Sequence, residues 1–142
     1  MILGTKARYA VMAMVDLAGR NSDEPVRLVD LASSQEITVP YLEQLFAKLR
    51  DHGLVQSVRG PGGGYMLCKP ANQIFILEVI KAVEENVKMT RCDKQEHSGC
   101  MSKKARCLTH DLWQGLEQNI HDYLEGISLA DVRSRKSPKD KI

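Results

Sequence analysis

Aromatic residues are scarce in this chain, and it has neither a long hydrophobic run nor a large excess of one charge. Only 5% of the 142 residues are aromatic although 43% are hydrophobic. The core must therefore consist of aliphatic side chains, which favours a mainly α-helical globular protein. No uncharged apolar stretch approaches the ~18 residues of a membrane-spanning helix, because Asp16 interrupts the best early candidate. We expect no membrane partner.

A secretion signal is also absent from the first residues, which have neither an apolar core nor a cleavage site. The expected location is therefore the cytoplasm, where thiols stay reduced. The chain has four cysteines. In a reducing compartment these are better interpreted as metal ligands or reactive thiols than as a disulfide framework.

The net charge of +2 says little about partners, but the charge is unevenly distributed along the chain. Residues 86–107 contain six basic and two acidic side chains, and residues 133–142 contain five basic and one acidic. A basic loop and tail of this kind either lie near phosphates or are simply solvated. Charge alone leaves both interpretations open.

The first third of the chain has the apolar spacing of three consecutive helices. The first is predicted to follow an N-cap at Thr5 and to end near Gly19, and a short second helix follows at 28–32. Thr38 is the predicted cap of a third helix over about 39–50, whose proline is tolerated in the first turn.

A predicted β-hairpin follows the third helix. Two short apolar stretches, 54–59 and 65–68, flank a glycine-rich loop at 60–64. Helix, short helix, turn, helix and hairpin form the order of a winged helix-turn-helix, in which the third helix enters the major groove of DNA. The expected fold is thus mainly α, with a DNA-binding domain over residues 1–85.

The second half of the chain is predicted to contain a helix at about 76–85, an aperiodic loop at 86–107, and a long helix at 108–130. The long helix either caps the core or pairs with its copy, and we favour a homodimer. Residues 131–142 are expected to form a disordered basic tail. The apolar residues of the long helix are Leu108, Leu112, Leu116, Ile120, Tyr123, Leu124 and Ile127.

Several polar side chains of the predicted third helix and hairpin suit contacts with DNA. Gln44 can pair with adenine, Glu43 can accept from cytosine, and Tyr41 can bind phosphate or base. Arg59 can insert into a narrow minor groove, and Gly60 lets the backbone approach closely. A solvated helix face and an ordinary hairpin are the alternatives. The candidate DNA-binding residues are Thr38, Tyr41, Glu43, Gln44, Arg59 and Gly60.

Three cysteines and a histidine lie within nineteen residues, in the pattern Cys92-x7-Cys100-x6-Cys107-x2-His110. Metal bonds would explain an aperiodic loop of this length in a small protein. This donor set suits structural zinc and an iron–sulfur cluster about equally, and unligated thiols or a surface histidine are further alternatives. The fourth cysteine, Cys68, is expected to be a buried apolar residue.

Four segments of the chain form a specific combination. They are Tyr41-Leu42-Glu43-Gln44-Leu45-Phe46, Ser57-Val58-Arg59-Gly60-Pro61-Gly62-Gly63-Gly64-Tyr65, Arg91-Cys92 and Cys107-Leu108-Thr109-His110. Together these residues closely resemble those of IscR-type iron–sulfur cluster-sensing winged-helix transcription regulators, and the resemblance extends from about Thr5 to Leu129.

The resemblance implies a homodimeric regulator that binds palindromic double-stranded DNA and controls cluster-assembly genes. It also implies a [2Fe–2S] cluster held by Cys92, Cys100, Cys107 and His110. An enzyme is not expected, since no nucleophile–base pair stands out. The alternatives are a zinc-stabilised winged-helix protein without redox sensing, and a small iron–sulfur electron carrier.

Overall fold

The computed structural model describes residues 4–20, 23–83 and 108–135. These ranges contain six α-helices, two β-strands and one short 3₁₀ turn at Ala71–Gln73. The helices are α1 (Thr5–Ala18), α2 (Leu28–Gln35), α3 (Val39–Asp51), α4 (Ile76–Ala82), α5 (His110–Glu125) and α6 (Leu129–Arg133). The strands are β1 (Val55–Val58) and β2 (Gly64–Leu67).

Helix α1 differs from its prediction at the first residue. Gly4 is the N-cap, with extended backbone angles, and its carbonyl accepts a hydrogen bond from the Arg8 N–H at 3.2 Å. The prediction of Thr5 as N-cap is wrong, because helical hydrogen bonding already begins at the preceding carbonyl. The predicted end is confirmed, since Gly19 is the C-cap.

The turn between α2 and α3 depends on one residue in the left-handed region. Glu36 ends α2 with φ 55° and ψ 41°, and the next residue, Ile37, is buried. Thr38 then occupies the N-cap position of α3 in an extended conformation, as predicted, although its side chain makes no capping hydrogen bond. The short turn directs α3 across α2, as a helix-turn-helix requires.

The core combines buried side chains of α1, α2, α3, α4 and α6, and α3 packs against α1 and α4 within it. The apolar stripe predicted for α3 is confirmed, since Leu42, Leu45, Phe46 and Leu49 are all buried. Burying each of these side chains contributes about 1.5–3 kcal/mol. The facing residues of α1 include three fully buried alanines, Ala7, Ala10 and Ala13.

The predicted hairpin is present as an antiparallel pair in which Val55 lies opposite Leu67 and Val58 opposite Gly64. It follows α3 directly, so the wing is confirmed as part of the fold. Cys68, just after β2, is exposed. The expectation of a buried Cys68 is wrong, because the strand ends one residue before it.

Backbone hydrogen bonds attach the C-terminal helices to the start of α4. The Ile76 N–H donates to the Ile127 carbonyl, and the Leu129 N–H donates to the Ile74 carbonyl, each at 2.9 Å. Helix α6 follows, packs against α1, and buries Leu129 completely. Residues 131–133 therefore belong to a packed helix, which corrects their assignment to a disordered tail.

The fold class predicted from the sequence is confirmed by the order of helices and wing. Within the described ranges no helix has the length and apolarity to cross a membrane. The predicted cluster-binding loop at 86–107 and the end of the tail lie outside the described residues. The domain limits drawn from the sequence there remain predictions.

Candidate DNA-binding surface and metal centre

Helix α3 presents a polar face to solvent on the side opposite its buried stripe. Thr38, Glu43 and Gln44 are all exposed on this face. Their side chains make no hydrogen bond or ion pair with the described part of the chain. The donors and acceptors of these residues are thus available to a ligand that covers the helix.

Tyr41 differs from its neighbours because it is only half-exposed. Its ring meets the ring of Tyr9 in α1 edge to face, with centroids 5.9 Å apart and planes at 85°. Such aromatic pairs add about 0.5–1.5 kcal/mol beyond the burial of their area. The contact fixes Tyr41 at the edge of the exposed face that adjoins α1.

The wing carries the other two candidate residues at its first corner. Arg59 is exposed and makes no hydrogen bond or ion pair with the described residues. Gly60 adopts φ +100°, a conformation that side-chain-bearing residues rarely reach. Its carbonyl accepts from the Gly63 N–H at 2.9 Å, which closes the turn and holds Arg59 at its base.

Tyr65 joins the wing to α3 and was not singled out by the sequence analysis. Its ring packs against Phe46 with centroids 5.0 Å apart, and its backbone exchanges hydrogen bonds of 2.9 and 2.8 Å with Val26. A Cβ on the adjacent Gly64 would lie 2.3 Å from the Val26 carbonyl oxygen. These contacts set the position of the wing relative to α3, and they join segments too distant in sequence for local patterns to predict.

A polar cluster between α1 and α2 holds the helix-turn-helix from its other side. The Asp16 carboxylate accepts hydrogen bonds from Ser34, from Gln35 at 3.1 Å and from Arg20 at 3.2 Å. Burial raises the pKa of Asp16, but these hydrogen bonds and the Arg20 charge outweigh it, so that the pKa lies below its ordinary value of 3.8. The carboxylate is therefore charged at neutral pH and ties α2 to α1.

The predicted metal ligands are divided between described and undescribed parts of the chain. His110 is the first residue of α5 and is 7% exposed, which is contrary to its alternative interpretation as a surface residue. Cys92, Cys100 and Cys107 lie outside the described residues. In the described ranges no three potential ligands come together, and the four-residue ligand set stays a prediction.

Helix α5 leaves apolar side chains in solvent along one side. Leu112, Leu116 and Tyr123 are 61%, 37% and 53% exposed. His110 and Glu117 face the opposite side and are buried, and α5 also packs against α4. One face of α5 is therefore covered by other residues of the chain, and the other face is exposed to solvent.

Comparison with known proteins identifies the family to which this chain belongs. The family model of Rrf2, described as an iron-dependent transcriptional regulator, matches residues 3–135. The chain belongs to the Rrf2 family. The resemblance stated from the sequence is thereby confirmed at the level of the family.

Individual members of the Rrf2 family agree with this assignment. The chain is 51% identical to the HTH-type transcriptional regulator IscR of Xenorhabdus nematophila over 132 residues, which are 93% of this chain and 79% of that protein. It is 49% identical to the protein of the same name from Pectobacterium carotovorum over 140 residues, or 99% and 84% of the two chains.

Solved structures of the Rrf2 type share the fold. T. potens IscR superposes with a TM-score of 0.77 at 34% identity, covering 95% of this chain and 88% of that one. CymR, the global cysteine regulator of B. subtilis, gives 0.77 at 28% identity, covering 96% and 99%. This chain is thus an IscR-type helix-turn-helix transcriptional regulator that binds DNA, and the prediction that it is not an enzyme is confirmed by its family.

Proposed function

We propose that this regulator senses iron–sulfur cluster status in the cytoplasm and, as a homodimer, binds palindromic DNA to control cluster-assembly genes. The observation that carries the proposal is the placement of His110. The last member of the Cys3His motif is the first residue of α5, and α5 is the helix that exposes an apolar face. One proposed ligand and the proposed dimer surface therefore belong to the same helix.

The DNA-reading part of the proposal assigns a role to each of the five exposed candidate residues. Gln44 reads adenine and Glu43 accepts from cytosine, because both are exposed on α3 and without a protein partner in the described ranges. Arg59 reaches a minor groove or phosphate from the base of the wing. Gly60 brings the backbone of the wing close to the DNA, and Thr38 donates from the start of α3.

The homodimer part rests on the exposed side of α5. Leu112, Leu116 and Tyr123 are exposed along one side of this helix, and contiguous exposed apolar side chains mark interaction surfaces. Helix α5 has 16 residues and is therefore about 24 Å long, which is enough to pair with the same helix of a second copy. A two-fold dimer of this kind presents two copies of α3 to a palindrome.

The metal part rests on the chemistry of the donor set. Three thiolates and one imidazole suit a [2Fe–2S] cluster, and the six basic side chains of residues 86–107 favour the thiolate form that ligation requires. Cys92, Cys100, Cys107 and His110 would hold the group. When bound, the cluster would restrain the start of α5 through His110, so this restraint would depend on cluster occupancy.

The experiment is purification without oxygen, followed by visible absorption and a count of iron, sulfide and zinc per chain. We expect charge-transfer bands and equal amounts of iron and sulfide. Single alanine variants of Cys92, Cys100, Cys107 and His110 are expected to lose them. Cys68→Ser is the matched control, since Cys68 lies outside the motif and is exposed. This variant should keep the bands.

A colourless protein with one zinc per chain would contradict the sensing function and support the zinc-stabilised alternative. Failure to take up iron and sulfide in a reconstitution, with no zinc present, would contradict both metal assignments. In either case the assignment to DNA-binding regulators would stand, because it rests on the family.

A further inference from the structure

The start of α1 lies beside the first turn of α3. The edge-to-face contact of Tyr9 and Tyr41 brings these two helix segments together at the rim of the DNA-binding face. Residues three apart on a helix are neighbours on its surface. Lys6 therefore lies one turn before Tyr9 on the side of α1 that adjoins α3.

The ammonium group of Lys6 does not stabilise the fold through a polar contact with the described residues. Lys6 is exposed, and it makes no hydrogen bond or ion pair with the described part of the chain. Arg8 is equally exposed but only one residue from Tyr9, about 100° around the helix axis. The side chains of Lys6 and Arg8 thus point in different directions from the same turn of α1.

The acidic residue of the α3 surface is placed away from Lys6. Glu43 is two residues from Tyr41, and side chains two apart on a helix point to nearly opposite sides. The edge of α3 that adjoins α1 therefore combines the Tyr41 hydroxyl with a nearby lysine and lacks the repulsion that Glu43 would exert on a phosphate. A neutral donor beside a cation is a typical phosphate contact.

We propose that Lys6 and the Tyr41 hydroxyl bind the same backbone phosphate of DNA, next to the base pairs covered by α3. The inference rests on the DNA-binding function and extends it to a residue outside the helix-turn-helix. The contact is independent of base sequence and fixes the depth and register of α3 in the groove. Tyr9 contributes by holding the Tyr41 ring against α1.

The test is the binding of the full-length protein to a mixed-sequence duplex, measured by fluorescence anisotropy over a range of salt concentrations. We expect Lys6→Ala to weaken binding roughly three- to tenfold at low salt. The slope of log affinity against log salt should fall by about one. Arg8→Ala is the charge-matched control and should change affinity less than about twofold.

A shared phosphate also predicts coupling between Lys6 and Tyr41. Tyr41→Phe removes only the hydroxyl and keeps the ring contact with Tyr9. If both groups bind one phosphate, the double variant should be less weakened than the product of the two single effects. Independent effects would overturn the shared site.

Two further results have distinct meanings. Unchanged affinity and salt slope for Lys6→Ala, with normal binding by the unaltered protein, would overturn this inference and leave the DNA-binding function intact. A protein that bound no duplex at any salt concentration would overturn both. Equal losses for Lys6→Ala and Arg8→Ala would overturn the specific placement of Lys6, since they would reflect net charge alone.

Discussion

Helices α3 and α5 are both amphipathic, but they use their apolar sides differently. In α3 the apolar stripe is completely enclosed by the chain itself, as at Leu42, which is 0% exposed. In α5 part of the corresponding stripe remains in water, as at Leu112, which is 61% exposed, while Ile120 and Leu124 pack against the core. The same sequence periodicity therefore marks a core helix in one case and an unpartnered surface in the other.

This difference in burial shows that contacts within one chain fix the position of α3 more completely than that of α5. Helix α3 is fixed by α1, by the wing through Tyr65, and by the turn at Glu36, so that only its polar side remains for a ligand. Helix α5 buries His110 and Glu117, and Ile120 and Leu124 pack against the core. The side that exposes Leu112, Leu116 and Tyr123 is the surface that we propose pairs with a second copy of the chain.

The largest expected effect is the loss of a core side chain from α3. Leu42→Ala should lower the free energy of unfolding by about 2–5 kcal/mol, because it leaves a cavity between α3 and α1. Urea denaturation followed by circular dichroism measures this. Gln44→Ala on the exposed side of the same helix is the control and should cost less than about 0.5 kcal/mol. Equal costs would contradict the assignment of the two sides.

The exposed side of α3 should instead affect base preference. Gln44→Ala is expected to reduce discrimination at one base pair by about 1–3 kcal/mol while leaving stability unchanged. Binding to a set of duplexes that differ at single positions measures this. Gln73→Ala, an exposed glutamine outside the helix-turn-helix, should leave every preference as it is, and an unaltered preference in the Gln44 variant would remove its proposed role.

The exposed side of α5 should affect self-association. Leu112→Glu places a charge in the apolar stripe and should raise the dimer dissociation constant at least about tenfold, or 1.4 kcal/mol. Sedimentation equilibrium measures the change. Gln114→Glu adds the same charge two residues away, on another side of the helix, and should have little effect. Self-association that was insensitive to Leu112→Glu would show that α5 is not the dimer surface.

The smallest effect is expected at the polar cluster between α1 and α2. The pKa of Asp16 is lowered on folding, so its charge stabilises the protein above the ordinary pKa of 3.8, and this contribution is lost as the pH falls through the folded-state pKa. Asp16→Asn should cost about 1 kcal/mol at neutral pH.

The pH dependence separates this effect from a general loss of packing. The difference in unfolding free energy between Asp16→Asn and the unaltered protein should shrink as the pH falls below 3.8, the ordinary value of the Asp16 pKa. Denaturation at several pH values measures it. Asp51→Asn changes an exposed carboxylate at the end of α3 and should cost less than about 0.5 kcal/mol at neutral pH. A difference independent of pH would contradict the role assigned to the charge.

The elements that local patterns could predict are those whose apolar side is enclosed by near neighbours. Leu42, Leu45, Phe46 and Leu49 recur at helical spacing and all are buried, so α3 and its polar face followed directly from the sequence. The wing could be predicted because its glycines interrupt two short apolar stretches. The candidate DNA-binding residues were accessible to sequence reasoning for the same reason, although their roles remain proposals.

The missed features depend on contacts between distant segments or on short signals. Helix α6 is only five residues long, yet the Ser128 hydroxyl accepts from the Asp131 N–H at 3.1 Å and the Asp131 carboxylate accepts from the Ser128 N–H at 2.9 Å. The Ser-x-x-Asp pattern of this capping box was present in the sequence. The pairing of Val26 with Tyr65 had no such local sign.

The only tryptophan of the chain makes α5 visible to spectroscopy. Trp113 is partly exposed beside the apolar stripe, and its indole N–H donates to the Thr109 hydroxyl at 3.1 Å. Indole fluorescence therefore reports on the first turns of α5, and the aliphatic core around α3 contributes nothing to it. An emission change that precedes the loss of helical circular dichroism would reveal α5 separating from the rest of the chain before the core unfolds.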